Sequence, residues 1–342
     1  MNRARGLFVA ICLNATGAQA QDAVADFYKG KQIQLRIGFP PGSGYDLAGR
    51  LVAPHLGKYI PGNPGVIVQN VEGAGSLTLT NQLYNTAAKD GTVIGLISNA
   101  APTTPFLSPE TAHFDITKFN WIGSNAPEVD VVVATGPSPI NRIEDLFTKE
   151  MIVGASGVGG ALYDMPVVMN ALAGTKFKLI SGYSGSGQVT LAMERGELHG
   201  QGGMGWTSIK SHNLADVKSG KLKIVAQYGL KKHADLPDVP MFELPKDETD
   251  KQALLLMYAR MSYGRPLLMP PGVPAERVKA VRAAFLAAMK DPGLLADAAR
   301  AGMDIEPVSG EELEALTAEV MKTTPAAAER LRRILSPAEQ RK

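Results

Sequence analysis

Four times the chain closes an apolar run with a glycine-rich turn and passes directly into a helix-forming stretch. The turns are PPGSGYD (Pro40 to Asp46), EGAGS (Glu72 to Ser76), ASGVGG (Ala155 to Gly160) and GYSGSG (Gly182 to Gly187). Ahead of the first, Ile33, Leu35, Ile37 and Phe39 alternate with polar residues, the period of a half-buried strand. VIVQNV (Val66 to Val71), TVIGLIS (Thr92 to Ser98) and VDVVVAT (Val129 to Thr135) read as further strands. Repetition of strand, tight turn and helix predicts parallel βα units, because parallel neighbours need a crossover long enough to hold a helix.

The spacing of these units predicts two α/β lobes with a ligand cleft between them. The chain crosses near Val129 and returns between about Tyr228 and Arg260. The expected division is residues 21–128 for the first part of lobe 1, 129–230 for lobe 2, and 231–342 for the return and the completion of lobe 1. Helices are expected at Ala275 to Lys290, Pro292 to Ala301 and Ser309 to about Leu335, the last opening with Ser309 and Glu312 at capping-box spacing. LLLMYARMSYGRPLLMPP reads as a return strand and a turn, and Pro54 as a kink or break in the helix after the first turn.

At 342 residues with 45% hydrophobic and 20% charged residues, the composition is that of a globular protein. The first twenty residues place Arg3 and Arg5 before a short apolar run, Gly6 to Leu13, and end in Ala18-Gln19-Ala20. That layout predicts a secretory signal peptide cut after about Ala20, since a span needs roughly 20 apolar residues. Cys12, the single cysteine, lies in the leader, so disulfides and thiol chemistry are not expected. Loss of the leader takes the formal charge from +2 to zero, and nothing points to nucleic acid as a partner.

The glycine turns carry the chemistry. The first helical N–H groups lack intrahelical acceptors and sit at the positive end of the helix dipole, so an anion is the natural guest. Gly42 and Gly44 let the backbone approach it, Ser43 and Tyr45 add hydroxyls, and Asp46 is expected to brace the turn. No turn ends in the Gly-Lys-Ser/Thr of a phosphate loop, Leu47 stands where a dinucleotide turn needs its third glycine, and Ser186 breaks the nucleophile elbow at Gly182 to Gly185. The five histidines have no ligand-like spacing. No catalytic residue, metal or cofactor is expected.

In order, FYKGKQIQLRIGFPPGSGYDLAGRLVAPHL, VIVQNVEGAGSLTLTNQLYNTAAKDGTVIG and MPPGVPAERVKAVRAAF resemble the periplasmic solute-binding proteins of tripartite tricarboxylate transporters, the Bug proteins. The resemblance implies a two-lobed type II periplasmic-binding-protein (Venus-flytrap) fold that closes over a small organic acid and delivers it to integral membrane transporter subunits. It implies carboxylate contacts from Pro41, Gly42, Ser43, Gly44, Tyr45 and Asp46. A second group comes from Tyr183, Ser184, Gly185 and Ser186, with Ser156, Gly157 and Gly159 alongside, and from Gly75 and Ser76. Ser43 and Tyr45 depart from the family's usual glycine and threonine. HGQGGMGWTS replaces an aspartate-containing segment, so Met204 and Trp206 point to a more apolar distal pocket, the alternative being that Trp206 and Tyr45 only pack a lobe. These departures favour an aromatic or semi-apolar mono- or diacid over a citrate-like acid. A periplasmic monomer is expected, with a sensor subunit or an exported enzyme as the alternatives.

Overall fold

The computed structural model describes residues 23–155, 160–183 and 185–336. Ser156, Gly157, Gly159, Ser184 and the leader lie outside the described residues. Strand β1 (Gln32–Ile37) buries Ile33, Leu35 and Ile37 completely and leaves the positions between them partly exposed. The helix Gly44–Tyr59 covers the buried face so closely that a Cβ at Gly49 would sit 2.5 Å from Ile37 Cδ1. It continues without a break through Pro54.

β2 (Gly65–Asn70) and β3 (Val93–Leu96) flank β1 in parallel, with Gln32 opposite Gly65 and Gln34 opposite Val93. Those are the parallel units that the first two glycine turns predict. β4 (Asn120–Ser124), β10 (Pro266–Met269) and β11 (Val308–Ser309) complete a mixed sheet in the order β11-β4-β10-β3-β1-β2. The second sheet holds β5 (Asp130–Thr135), β6 (Met151–Ala155), β7 (Phe177–Ser181), β8 (Gly200–Gly205) and β9 (Leu222–Gln227), in the order β7-β6-β8-β5-β9. β6 is parallel to β7 and β8, and β5 is antiparallel to β8 and β9.

Two segments differ from the sequence reading, and a third, to which it gave no element, is a strand. GQGGMG forms β8 despite the low strand propensity of glycine. A Cβ at Gly203 would lie 2.3 Å from the Ala161 carbonyl oxygen and one at Gly202 2.4 Å from Pro166 Cγ, so bare backbone lets the helix Ala161–Leu172 lie directly on this strand. LLLMYARMSY is not a return strand but the core of the helix Glu248–Tyr263. Its apolar residues face several neighbours at once, which hides the helical period, and the Asp247 carboxylate caps it by accepting from the Asp250 N–H. It ends at Gly264, whose φ of 58° and 1.8 Å approach of an added Cβ to the Ala126 oxygen both demand glycine. The stretch from Ser309 is two helices, Gly310–Val320 and Pro325–Leu335, divided where Thr324 caps the second with Pro325 at its first position. The capping box at Ser309 and Glu312 is present as expected.

The chain leaves the first sheet at Ser124 and enters the second at Asp130, returning through the helix Glu248–Tyr263 to Pro266. The Glu128 N–H donates to the Met261 oxygen at 2.9 Å and ties the two crossings together.

Candidate functional site

Beside these crossings lies a cavity of about 200 Å³. The first glycine turn reaches it through Tyr45, and the segment after β3 through Asn99 and Ala100. In the turn, Ser43 Oγ accepts from the Asp46 N–H at 3.2 Å, while Asp46 Oδ2 accepts from the Gly42 N–H at 2.8 Å. Asn70 Nδ2 and Arg50 Nε also donate to the Asp46 carboxylate. Burial works against that charge, but the bonds from Arg50, Asn70 and Gly42 outweigh it and hold the carboxyl below its ordinary range. Asp46 is therefore a brace turned into the protein. The Gly44 and Tyr45 N–H groups, the first two of the helix, donate to no described residue.

Tyr45 is half-buried, stacked on Phe39 with ring centroids 4.1 Å apart, and its hydroxyl oxygen accepts from the Asn99 N–H at 3.1 Å. Burial raises the phenol, so it stays protonated and neutral. The second turn acts on the same wall from behind. Ala74, Gly75 and Ser76 take successive φ values of 46°, 60° and 77°, left-handed backbone that is costly for alanine and serine. Ser76 is buried and its Oγ accepts from the Ser98 N–H at 3.2 Å, fixing the start of the segment that carries Asn99. Gly38 leaves room for it, since a Cβ there would meet Ser76 Oγ at 2.1 Å.

In the second lobe, Ala161 and Asp164, from the first turn of the helix that follows the ASGVGG turn, line the cavity. Tyr183 is partly buried against the second-lobe core, and its N–H donates to the Ala155 oxygen at 3.4 Å. Gly185 and Ser186 open the helix Ser186–Glu194 and do not line the cavity. Trp206 is 5% exposed in the second-lobe core beside Met204, and its indole N–H donates to Asp235 Oδ2 at 3.0 Å. It belongs to the packing of that lobe and not to the cavity wall.

Apart from Asp164, the charged residues of the cavity come from the crossings. Arg260 donates from Nε to Thr103 Oγ1 and from Nη1 to Asp164 Oδ2, both at 2.9 Å. Arg265 Nη2 donates to Glu128 Oε2 at 2.9 Å, and Glu128 Oε1 accepts from the Thr207 N–H at 3.3 Å. Arg265 Nε is buried without a partner among the described residues. The same guanidinium lies beside the first turn: Nη2 would be 3.7 Å from a Cβ at Gly44. Asp130 lines the cavity half-buried, and its carboxyl hydrogen-bonds to no described residue. Burial, and the Glu128 carboxylate beside it, push that carboxyl up to about 7 against the pull of Arg260. Sequence reading placed the crossings but not these side chains, although an acidic residue on each side of Val129 and an arginine on each side of Gly264 were the signal.

Among the described residues, His233, Asp235 and Asp304 come close enough to share a cation. Lys210 already supplies one, donating from Nζ to Asp235 Oδ2 at 2.8 Å and to Asp304 Oδ1. The cluster is an ion-pair network and not a vacant metal centre.

The pattern of the family described as "Tripartite tricarboxylate transporter family receptor" (TctC) matches residues 50–331. The chain belongs to this family. It is 26% identical over 330 residues to the "UPF0065 protein in gbd 5'region" of Cupriavidus necator, covering 94% of this chain and 93% of that protein. Protein BugT of Bordetella pertussis is 27% identical over 254 residues, 70% of this chain and 73% of BugT. Among solved structures, a TctC solute-binding protein from Polaromonas without ligand superposes with a TM-score of 0.67 at 20% identity, covering 89% of this chain and 98% of that one. MatC of Rhodopseudomonas palustris with bound malate gives 0.61 at 16% identity over 90% and 99%. A second R. palustris protein, with adipate, gives 0.63 at 15% over 90% and 97%.

These likenesses give this TctC protein the two-lobed type II periplasmic-binding-protein fold. Its family is one of receptors for solutes, and the chain is a receptor and not an enzyme. No helix of the described residues is long and apolar enough to cross a membrane.

Proposed function

We propose that this TctC receptor captures a small carboxylic acid in the cleft beside the crossings, by closure of its lobes, and delivers it to the membrane subunits of a tripartite tricarboxylate-type transporter. The observation that carries the reading is the convergence of two kinds of donor on one spot. The Gly44 and Tyr45 amides at a helix N-terminus, uncommitted among the described residues, lie next to Arg265, whose Nη2 would be 3.7 Å from a Cβ at Gly44 and whose Nε has no partner among the described residues. A carboxylate there would accept from both amides and meet the charge of Arg265, a charge pairing that a neutral group of the same size lacks. Membership of the TctC family supports the transport role, and the malate and adipate held by two structural neighbours are acids of this class. The second-lobe turns at 156–159 and 183–186 are proposed to close on the ligand from the other side, with Ser43, Gly75 and Ser76 supporting the first-lobe wall. Met165, Met257 and Met261 line the cavity with apolar surface, which suits an acid with a short hydrocarbon body. Residues 1–20 are proposed to direct export to the periplasm.

Thermal unfolding of ligand-stripped protein against small acids, each paired with its neutral amide, tests the reading. An acid at about 100 times its Kd stabilises by about 2.7 kcal/mol. The acid alone is expected to shift the transition, and equal shifts from acid and amide would remove carboxylate recognition. Gly44 has no positive φ, and a Cβ there would meet only Arg265 Nη2, at an ordinary contact distance of 3.7 Å. Gly44→Val is therefore expected to keep the fold, fill the anion site and weaken acid binding at least about tenfold, about 1.4 kcal/mol. Unchanged affinity would move the carboxylate elsewhere.

A further inference from the structure

The cleft floor has three carboxyls, Glu128, Asp130 and Asp164, and two guanidiniums, Arg260 and Arg265. Two of the carboxyls are matched: Glu128 by Arg265, and Asp164 by Arg260. Asp130 is left over, in a site whose purpose is to hold an anion. Its position is fixed by the backbone on both sides, because Asp130 pairs with Gly205 of β8 and its carbonyl accepts from the Tyr228 N–H at 2.9 Å. A half-buried carboxyl with no partner costs stability, and a fixed one is a binding group.

We propose that the ligand is zwitterionic: an amino acid or related acid whose carboxylate meets Gly44, Tyr45 and Arg265 and whose positively charged nitrogen meets Asp130. This rests on the carboxylate reading above and narrows its ligand class. The groups facing Asp130 decide among the possible far ends of the ligand. A second carboxylate would approach Asp130 and Glu128, and the nearest cation, Arg260, is already bonded to Thr103 and Asp164. A methyl end would leave Asp130 desolvated and unpaired. An ammonium offsets the charge of Asp130 and supplies the missing donor. Tyr45 and Tyr228, the neighbouring phenols, are both held neutral by burial, and the Tyr228 hydroxyl is spent on the Gly202 oxygen at 2.6 Å, so neither competes for the cation.

The test uses ligand-stripped full-length protein and linear acids of about two to six carbons, each in three versions that end in methyl, carboxylate or ammonium. Hexanoate, adipate and 6-aminohexanoate are the longest set, and glycine opens the ammonium series. Calorimetry is expected to show, for at least one length, the ammonium version binding about ten- to a hundredfold tighter than its two partners. Asp130→Asn is expected to bring it down to the methyl version. A best ligand ending in methyl or carboxylate at every length overturns the proposal, as does a preference for ammonium that survives Asp130→Asn. Acids that bind without this preference leave the carboxylate reading standing, whereas no binding by any version overturns both. Should the variant not fold, wild-type affinity for the ammonium acid must still rise with pH as Asp130 ionises through about 7, and a flat or falling profile sinks the idea.

Discussion

Asp130 begins β5 with a carboxyl that the fold would be more stable without. Its folded value is about 7, against about 3.9 in an unfolded chain. Below pH 4 both states are protonated and nothing is lost. As pH rises from 4 to 7 the unfolded chain gives up its proton first, so stability falls, and above 7 the loss is complete. Because the carboxyl still faces the cavity, the expected gain for Asp130→Asn at pH 8 is on the order of 2 kcal/mol, less than the full shift implies. Urea midpoints at pH 8 and pH 4 check this, and a gap that stays the same at both would show that burial is not its origin. Stability gained by removing the proposed binding group would be the usual trade at a functional site. At this scale the sequence was legible where the partners are local. Asp46 could be read as a brace because Ser43 and Gly42 stand three and four residues away. The Arg265 to Glu128 pair spans 137 residues, and no spacing rule reaches that far.

Elements were legible where one face is buried and the next is wet. β1 alternates cleanly, and its helix and parallel neighbours follow from the turns. The misreadings fall where an element is enclosed on several sides. The Glu248–Tyr263 helix buries Leu254, Leu256, Met257, Tyr258 and Met261, so its apolar stretch carries no clear period. β8, to which the pattern assigned no element, is a strand written in glycine because another backbone lies against it. Gly203→Ala would put a methyl group 2.3 Å from the Ala161 oxygen, where the obstacle is backbone at the start of a helix. The expected loss is about 1–3 kcal/mol, with the helix Ala161–Leu172 displaced from the sheet. Because Ala161 and Asp164 line the cavity, ligand affinity should fall as well. Chemical denaturation and a binding isotherm on the same variant check both, and full stability would mean that the helix moves aside without cost.

Across the whole molecule, two sheets do not imply two independent cores. One buried cluster runs from Trp121 of β4 through Val132 of β5 and Met257 of the connecting helix to Leu331 near the C-terminus. The helix Pro325–Leu335 packs against the Thr104–Leu107 turn on the first-sheet side, against Glu248–Tyr263, and against Ala161–Leu172 on the second-sheet side. Arg330 Nε adds a 2.7 Å bond to Asp250 Oδ1. A receptor built this way can rock its lobes only if this shared core stays closed while the cleft mouth moves, so the helix should stabilise both lobes together. Leu331 is fully buried, and Leu331→Ala is expected to cost about 2–5 kcal/mol. The informative readout is where that loss appears. Native-state hydrogen exchange should show protection falling by similar factors in β3 of the first sheet and β6 of the second, because both open through the same cooperative unit. Loss confined to β3 would mean that the lobes unfold separately and that the C-terminal helix serves the first alone. The hinge would then lie between the helices Pro325–Leu335 and Ala161–Leu172, and closure over the acid would have to part that contact instead of turning about it.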